Sequence, residues 1–355
     1  MINLNSINSG FFIGGVDIYP TCSPFVVAEV GINHNGELDR ALEMIHVAKN
    51  AGCDAVKFQT FKASEFVSDP AQMFTYRSQG NEVTESMLAM FKRYELPLSA
   101  WAVIKAECDS VGIQFMSTPQ NRGDLDILLG LGVPAVKVGS DDFTNLPLLK
   151  SYATSGLPMI LSMGMSDLAE AHQALEAVGA FDGYPVILLI CTSQYPTPSS
   201  DAHLSRITTL KQAFPSLLVG YSDHTQGPIA SSLAVALGAV FLEKHFTLDQ
   251  DLPGPDHWFS ENPEGLRNWV ASIRTSHKLM GSPLLRPTPV ERVNKKEYQR
   301  RLVAARDIAQ GAIFELDDID LKRMPGGRGL PPAFLEHLLG RRAPRHYVFG
   351  DPIEL

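Results

Sequence analysis

The chain has 355 residues, enough for one large domain and one small one, and 45% of them are hydrophobic and 19% charged. This composition is ordinary for a globular enzyme, and a formal net charge of −9 argues against nucleic acid as a partner. The apolar runs are too short to span a bilayer, and residues 1–15 lack the features of a secretory signal. Four scattered cysteines without CxxC spacing fit reduced thiols in a cytoplasm.

Eight short apolar runs before residue 250 are predicted as interior strands. They cover residues 25–30, 55–61, 113–118, 135–140, 159–163, 186–192, 217–222 and 240–245. Helical patterns lie between most of them: residues 38–51 end at Gly52, residues 167–179 follow Ser166 as N-cap, and a short helix runs from Pro228 to Gly238. This alternation indicates an α/β fold of the (β/α)8 TIM-barrel type, with a doubly wound open sheet as the alternative. Residues 62–95 are too long for a simple crossover and are predicted to pass over the barrel mouth.

The composition changes after the eighth strand and predicts three segments. Residues 1–282 form the catalytic barrel, 283–299 form a proline-stiffened and charged linker, and 300–355 form a small module that is mostly irregular and β. The module is too small to be catalytic alone. Near its middle lies a flexible basic turn, residues 322–330, which contains Arg323 and Arg328.

Polar side chains stand at the end of every predicted barrel strand. The carboxyl ends of barrel strands build the active site, and packing alone would place polar residues at only one or two of the eight. The end residues are Glu29, Lys57 with Gln59, Ser117 with Thr118, Lys137 with Ser140, Ser162, Thr192 with Tyr195, Ser222 with His224, and Glu243 with His245.

His224 and His245 follow the last two predicted strands, with Asp223 and Glu243 beside them. Two imidazoles on adjacent strand ends could bind one metal ion; the alternative is a pair of structural histidines. Two histidines do not form a closed zinc site, so Mn²⁺ or a similar octahedral ion (Mg²⁺ or Co²⁺) is favoured. Asp256, in the segment GPDHW, either adds a polar group to the same rim or caps a turn.

Lys57 and Lys137 lie inside apolar strand contexts, where a lysine is costly unless it faces an anion. Three hypotheses stay open: structural salt bridges to Glu29 and Glu243, a pair of cations facing a phosphate or carboxylate, or a Schiff-base nucleophile at Lys137. In the second case nearby side chains would add polar groups to an anion pocket. Those candidates are Gln59, Ser117, Thr118 and Ser140.

Seven segments occur in an order that is typical of one known family: AEVGINHNG (28–36), AVKFQTF (55–61), STP (117–119), KVGS (137–140), YSDHTQG (221–227), EKHFTLD (243–249) and GPDH (254–257). Together they resemble the sialic acid synthase family, the bacterial N-acetylneuraminate synthases and their relatives. Residues 300–355 are similar to the antifreeze-like (SAF, β-clip) domain that ends those enzymes. The resemblance therefore covers nearly the whole chain.

The resemblance implies that phosphoenolpyruvate condenses with an N-acylated aldose, usually of the N-acetylmannosamine type, to give a nine-carbon 2-keto sugar acid and phosphate. His224 and His245 would hold the divalent metal that polarises the sugar aldehyde. Glu29 and Glu243 would sit by the reacting centre, with Glu29 the better candidate for proton transfer. The residues implied to clamp phosphoenolpyruvate are Lys57, Lys137, Ser140, Thr118 and Ser222.

The same resemblance assigns the acceptor site and an oligomer. Asp256 and Tyr195 would contact the sugar chain, and Arg323 would reach into the partner subunit's site and read the acyl group, which implies a domain-swapped homodimer. Asp142 replaces a family glutamate, and Thr192 stands where many members have asparagine. The arginine turn is one residue longer than usual, so Arg328 could take the role of Arg323.

The intact GPDH segment favours a neuraminate-type product, with legionaminate- or pseudaminate-type products as alternatives. Two other hypotheses remain: a Schiff-base aldolase using Lys137, and a sugar- or ice-binding protein suggested by the antifreeze-like tail. The second of these leaves the polar strand ends without a purpose.

Overall fold

The computed structural model describes residues 11–354. The chain divides into two compact units, Met1–Gly281 and Ser282–Leu355. Residues 1–10, which are most of the segment predicted to lack a secretory signal, lie outside the described residues. In the part of the chain that is described, no helix is long and apolar enough to cross a membrane.

The first unit alternates strands and helices along most of its length. Its strands are β1 Phe11–Ile13, β2 Val16–Ile18, β3 Phe25–Gly31, β4 Ala55–Thr60, β5 Met73–Ser78, β6 Asn81–Ser86, β7 Gln114–Pro119, β8 Val136–Val138, β9 Met159–Ser162, β10 Val186–Ile190, β11 Leu218–Asp223 and β12 Phe241–His245. Its helices are α1 Leu38–Ala51, α2 Ala63–Phe66, α3 Met87–Tyr94, α4 Leu98–Val111, α5 Arg122–Leu131, α6 Leu146–Ala153, α7 Leu168–Ala177, α8 Arg206–Ala213, α9 Ile229–Ala236 and α10 Pro263–Met280.

Eight of these strands form one parallel sheet in the order β7-β4-β3-β12-β11-β10-β9-β8. The first and last barrel strands in the chain, β3 and β12, are hydrogen-bonded neighbours, and the two end strands β7 and β8 lie side by side. The sheet is thus a nearly closed barrel whose strands follow chain order. The prediction of a (β/α)8 barrel is confirmed, and the open doubly wound sheet is wrong.

The hairpin β1–β2 packs its apolar side chains against the amino-terminal halves of the barrel strands. Phe11, Ile13 and Ile18 are almost fully buried in one cluster with inward-facing residues such as Met116 and Ile160. This hairpin fills the end of the barrel opposite the carboxyl ends of the strands. Sequence reasoning did not predict it.

The end of α1 is as predicted, whereas the N-cap of α7 differs from the prediction. α1 ends at Gly52, whose φ of 88° is the left-handed conformation that favours glycine. The predicted N-cap Ser166 is wrong, because Asp167 caps α7 in a capping box with Glu170. A carboxylate that accepts the Glu170 backbone N–H also suits the positive end of the helix.

The excursion between β4 and α4 has its own core, as its length suggested. It consists of α2, the antiparallel hairpin β5–β6, and α3. Aromatic rings hold it together: the centroids of Phe66 and Phe91 are 4.8 Å apart, and both pack on Phe61. The hairpin also contacts the loop after β12, since Arg77 lies over the Trp258 ring and Gln79 donates to the carbonyl of Asp251.

The second unit contains α11 Pro289–Tyr298, β13 Arg300–Ala304, β14 Ile319–Arg323 and α12 Leu335–Leu338. The strands β13 and β14 pair antiparallel, and a small apolar core includes Leu302, Phe314 and Tyr347. α11 lies within the segment predicted as a linker, and Thr288 with Glu291 forms its capping box. The sequence had suggested only proline stiffening and charge there.

Candidate active site

A cavity of about 330 Å³ opens at the carboxyl ends of the barrel strands. Most sequence-predicted site residues line it, because successive strands bring their ends to one rim. The predicted residues at the cavity wall are Glu29, Lys57, Gln59, Thr118, Lys137, Ser140, Ser162, Tyr195, Ser222, His224, Glu243 and His245.

Lys57 stands between two carboxylates at the floor of the cavity. Its Nζ lies 2.7 Å from Glu29 Oε2 and 3.6 Å from Glu243 Oε2, and it donates to Thr118 Oγ1 at 3.1 Å. Gln59 Nε2 donates to the other oxygen of Glu29 at 3.2 Å. Protein carboxylates therefore hold the lysine.

Lys137 contacts one carboxylate of the same pair, that of Glu243. Its Nζ lies 3.8 Å from Glu243 Oε1 and donates to Ser162 Oγ at 2.8 Å and to the carbonyl of Val138 at 3.0 Å. Ser222 Oγ donates to Glu243 Oε1 at 3.1 Å. The two lysines and two glutamates thus form one buried cluster.

Burial and neighbouring charges shift the pKa values of the two carboxyl groups in opposite directions. Burial raises the pKa of Glu29 although Lys57 opposes it, whereas Lys137 and Lys57 outweigh burial and lower the pKa of Glu243. Burial lowers the pKa of Lys137, and the two glutamates outweigh burial to raise the pKa of Lys57. A pair of neighbouring carboxyl groups with divergent pKa values is suited to separate roles in proton transfer and charge stabilisation.

His224 and His245 meet at one corner of the cavity, with ring centroids 5.6 Å apart. The Nδ1 of His224 donates to the carbonyl of Thr192 at 2.8 Å, and the ring of Tyr195 packs on the imidazole at 4.2 Å. Burial lowers the pKa of both histidines, and the neighbouring His224 and lysines lower that of His245 further. Both imidazoles are therefore neutral near pH 7, as metal ligands must be.

The corner fits a divalent cation with few protein ligands. His245 Nδ1 and Glu243 Oε2 are buried and have no hydrogen-bond partner within residues 11–354. Among those described residues, no group of three or more His, Cys, Asp or Glu side chains is arranged to hold a metal ion. An ion held by two imidazoles would keep most of its coordination positions open to water or substrate oxygen.

Five polar residues from the sequence analysis do not line the cavity. Ser117 lies on the helix-facing side of β7 and pairs with Thr60 Oγ1 at 2.7 Å. The side chain of Asp142 bonds Asn145, while its neighbour Asp141 lines the cavity. The remaining three are Thr192, Asp223 and Asp256.

Each of those three makes its contacts outside the cavity wall. Thr192 contributes its carbonyl to His224, whereas its hydroxyl bonds the carbonyl of Asp201. Asp256 Oδ2 lies 3.9 Å from His245 Nδ1, and burial raises the pKa of Asp256 to about 7. Asp223, expected beside the metal, points away from the cavity and pairs with Lys244.

Sequence reasoning missed an apolar wall and several polar groups of the cavity. Phe61 directly follows β4, and Phe66 and Phe91 belong to α2 and α3 of the excursion. No local pattern marks them as site residues. The other missed lining residues are Gln120, Gly139, Asp141, Met165, Cys191 and Ser193. The polar strand ends could have indicated Gln120 and Ser193, since they lie two residues and one residue beyond a predicted strand end.

Arg323 and Arg328 belong to the second unit. Arg323 ends β14, and its guanidinium lies 5.7 Å over the Tyr298 ring. Arg328 Nε lies 3.7 Å from Glu354 Oε1. Both side chains are exposed at the ends of a turn that contains Gly326 and Gly327 in left-handed conformations.

The fold and cavity define a (β/α)8-barrel enzyme whose mouth combines buried lysines with a pair of neutral histidines. The chain belongs to the NeuB family, whose model matches residues 44–284, and it carries a SAF domain at residues 299–354. The resemblance to the sialic acid synthase family is confirmed.

Two relatives and one solved structure place the chain within that family. N,N'-diacetyllegionaminic acid synthase of Legionella pneumophila is 39% identical over 94% of this chain and 93% of its own length. Human N-acetylneuraminate-9-phosphate synthase is 33% identical over 90% and 88%. The crystal structure of N-acetylneuraminic acid (sialic acid) synthetase from Leptospira borgpetersenii matches with a TM-score of 0.73 and 32% identity, covering 81% of this chain and 95% of that one.

Proposed function

We propose that this protein is a nonulosonic acid synthase that condenses phosphoenolpyruvate with an N-acylated aldose and releases phosphate. The acceptor we propose is of the N-acetylmannosamine type, giving an N-acetylneuraminate-type product. One observation carries the proposal: the buried Lys57–Glu29–Glu243–Lys137 cluster shares a cavity with two neutral histidines. That arrangement offers an anion site beside a cation site.

The two lysines are assigned to the anionic donor. Lys57 and Lys137 would exchange their contacts with protein carboxylates for the carboxylate and phosphate of phosphoenolpyruvate. Hydroxyl groups already within 3.1 Å of the ammonium groups, those of Thr118 and Ser162, remain available to the same anion. Charge-assisted hydrogen bonds of this kind are about twice as strong as neutral ones.

The reaction forms one carbon–carbon bond and one carbon–oxygen bond to water, and it breaks the carbon–oxygen bond to phosphate. C3 of phosphoenolpyruvate attacks the aldehyde carbon of the sugar, and the aldehyde oxygen becomes a hydroxyl by taking up a proton. Water adds to C2, and the C2–O bond to phosphate breaks, leaving a 2-keto acid and inorganic phosphate. Glu29, whose pKa burial raises, is proposed to hold and transfer protons, while the anionic Glu243 stabilises positive charge at C2.

His224 and His245 are proposed to hold a divalent metal, Mn²⁺ in preference to Mg²⁺ or Co²⁺. When bound, the ion would supply Lewis acidity to the aldehyde oxygen. The protein's share of this task is to keep both imidazoles neutral and oriented. The carbonyl of Thr192 fixes His224 as the Nδ1–H tautomer, so Nε2 carries the lone pair and lies 3.4 Å from Ser222 Oγ.

We further propose a domain-swapped homodimer in which Arg323, or Arg328 in its place, completes the partner subunit's acceptor site. Exposed apolar side chains on the segment before β13 support a second surface of contact with the partner subunit. Leu285, Val290 and Val293 are all more than 60% exposed in the single chain. The four cysteines are unpaired, which supports a reducing compartment such as the cytoplasm.

A second candidate product is of the legionaminate type. The aromatic wall of Phe61, Phe66 and Phe91 favours an acceptor that presents methyl or additional acyl groups. The 39% identity to a relative named as N,N'-diacetyllegionaminic acid synthase supports the same candidate. Legionaminate-type and neuraminate-type acceptors would share the donor and metal chemistry.

The test is phosphate release with phosphoenolpyruvate, an acylated aldose and Mn²⁺, each omitted in turn. The proposal expects release only when all three are present, and loss of release on exhaustive chelation. Full activity after chelation would overturn the metal assignment. Mass spectrometry of products from a panel of N-acetylmannosamine and diacetamido sugars would decide between the two candidates.

A further inference from the structure

Asp223 and Lys244 form a buried ion pair directly behind the two histidines. They are register neighbours on β11 and β12, and their side chains are 0% and 2% exposed. The preceding residues, Ser222 and Glu243, point into the cavity, so the pair faces the surrounding helices. The Nζ of Lys244 lies 3.1 Å from Asp223 Oδ2.

The pair is embedded in a dense set of hydrogen bonds. Asp223 Oδ1 accepts from the N–H of Thr225 at 2.8 Å and from its hydroxyl at 2.7 Å. Asp223 Oδ2 accepts from Ser231 Oγ at 2.7 Å, and Trp269 Nε1 donates to that same hydroxyl at 2.8 Å. Lys244 donates to the carbonyl of Thr225.

These contacts hold the main chain on both sides of His224. Asp223 precedes that histidine and Thr225 follows it, and Lys244 immediately precedes His245 on the next strand. Glu261 extends the network, because its Oε1 accepts from the Gly227 N–H at 2.8 Å and lies 3.8 Å from Lys244. The loop that carries His224 is therefore tied to the strand that carries His245.

Stability alone does not account for an ion pair in this position. The same helix-facing side of β11 and β12 is otherwise apolar, with Val219, Tyr221 and Leu242 in the core. A buried ion pair is often no more stabilising than well-packed apolar residues of similar volume. What the pair provides, and apolar residues would not, is a set of directional bonds to the histidine loop.

We propose that Asp223 and Lys244 are positioning residues that set the separation and orientation of the His224 and His245 imidazoles. This inference rests on the proposed function only in naming a metal as what the imidazoles receive. Neither residue lines the cavity. Their effect is expected on metal binding and on kcat, with little effect on KM for phosphoenolpyruvate, since both cavity lysines remain in place.

The test is an apolar exchange of the whole pair, Asp223→Leu with Lys244→Met, in the full chain. We expect the variant to fold, to bind Mn²⁺ at least tenfold more weakly by calorimetry, and to lose kcat by about 100-fold. Asp54→Leu with Arg274→Met is the matched control, because that pair, 2.7 Å apart, ties the residue before β4 to α10 and does not line the cavity. The control should retain wild-type Mn²⁺ affinity and kcat.

A metal-free readout separates this inference from the proposed function. In protein with labelled histidine rings and no metal, the exchange should shift the NMR signals of His224 and His245 and leave exposed His172 unchanged. Unchanged His224 and His245 signals would overturn the positioning role even if no metal ever binds. Wild-type protein that binds no Mn²⁺, together with shifted signals, would instead overturn the metal assignment alone.

A single, milder substitution provides the test if the double variant does not fold. Asp223→Asn keeps an acceptor for Thr225 but removes the charge opposite Lys244. We expect it to weaken Mn²⁺ binding severalfold and to shift the same two histidine signals. Wild-type Mn²⁺ affinity and unshifted signals in this folded variant would contradict the inference.

Discussion

Lys57 Nζ lies 2.7 Å from Glu29 Oε2 although neither side chain is more than 4% exposed. Breaking such a buried pair from one side leaves an uncompensated charge, which costs about 3–5 kcal/mol. Here a second carboxylate can pair with Lys57 in place of Glu29, because Glu243 Oε2 also lies beside the ammonium group. This allows Glu29 to change its protonation while Lys57 stays paired.

We expect Glu29→Gln to lower kcat by about 100-fold with less than a threefold change in KM for phosphoenolpyruvate. The amide keeps the shape of the side chain but cannot transfer a proton, and Lys57 keeps its contact with Glu243. Steady-state kinetics of phosphate release would measure both constants. Glu37→Gln, an exposed carboxylate next to α1, is the control and should behave as wild type. A Glu29→Gln enzyme with normal kcat would remove the proton-transfer role.

Lys137→Met should raise KM for phosphoenolpyruvate on the order of 100-fold, because the donor loses one of its two cations. Lys150→Met, an exposed lysine on α6, is the matched control and should leave KM unchanged. Borohydride added during turnover should trap no substrate on Lys137. A trapped adduct at that residue would favour the Schiff-base aldolase instead.

Phe91→Ala should raise KM for the acceptor sugar about tenfold and leave KM for phosphoenolpyruvate unchanged, since the aromatic wall lies beside the charged cluster in the same cavity. The loss should be larger for acceptors that carry a methyl group or a second acyl group. Phe91→Leu, which keeps the wall apolar, should recover most of the affinity. Equal losses for donor and acceptor would indicate that the substitution disturbs the excursion rather than a sugar site.

Asp124→Asn should stabilise the protein at pH 8 but not at pH 3.5. Burial raises the pKa of Asp124 from 3.8 to about 6, and its Oδ2 has no hydrogen-bond partner in the described residues. A raised carboxyl pKa contributes stability fully below pH 3.8 and loses it as pH rises through 6, so the charged form is the unfavourable one.

The variant should therefore gain on the order of 1–2 kcal/mol above pH 7, seen as a rise of a few degrees in Tm. Asp39→Asn is the control, because Asp39 also lies in the first turn of a helix but is exposed. A pH-independent gain in Asp124→Asn would point to the helix rather than to the buried charge.

A mixture of Arg323→Ala and His245→Ala chains should recover activity that neither variant has alone, if subunits share a site. One mixed dimer in that arrangement contains one intact site, so up to about a quarter of wild-type activity is expected after random exchange. Arg328→Ala in place of Arg323→Ala shows which arginine completes the site. No recovery, with mixed dimers demonstrated by mass spectrometry, would contradict the swapped arrangement.

Much of the barrel could be predicted from local patterns. Short runs such as 186–190 are apolar throughout because both faces of a parallel strand are buried, and α1 ends where a glycine takes a left-handed conformation. The polar strand ends predicted most of the charged cavity wall for the same reason. The predicted strand bounds were less accurate. The fourth predicted strand covers residues 135–140, whereas β8 covers only Val136–Val138.

Two of the side chains that failed the prediction, those of Ser117 and Asp223, share one physical cause. A strand alternates its side chains between two faces, so a polar residue at a strand end can lie on either side of the barrel wall. Ser117 and Asp223 lie on the helix-facing side and bond Thr60 and Lys244 there. Their neighbours Thr118 and Ser222 line the cavity.

The sequence by itself determined the repeating strand and helix pattern, the family motifs and the residue types at the barrel mouth, because each depends on local spacing. Only the tertiary structure decided which of those side chains meet. It placed Lys57 between Glu29 and Glu243, brought the Phe66 and Phe91 rings of the excursion to the cavity, and paired Asp223 with Lys244 behind the histidines. Such contacts join residues far apart in the chain, and their distances are set by sheet register and packing rather than by any local pattern.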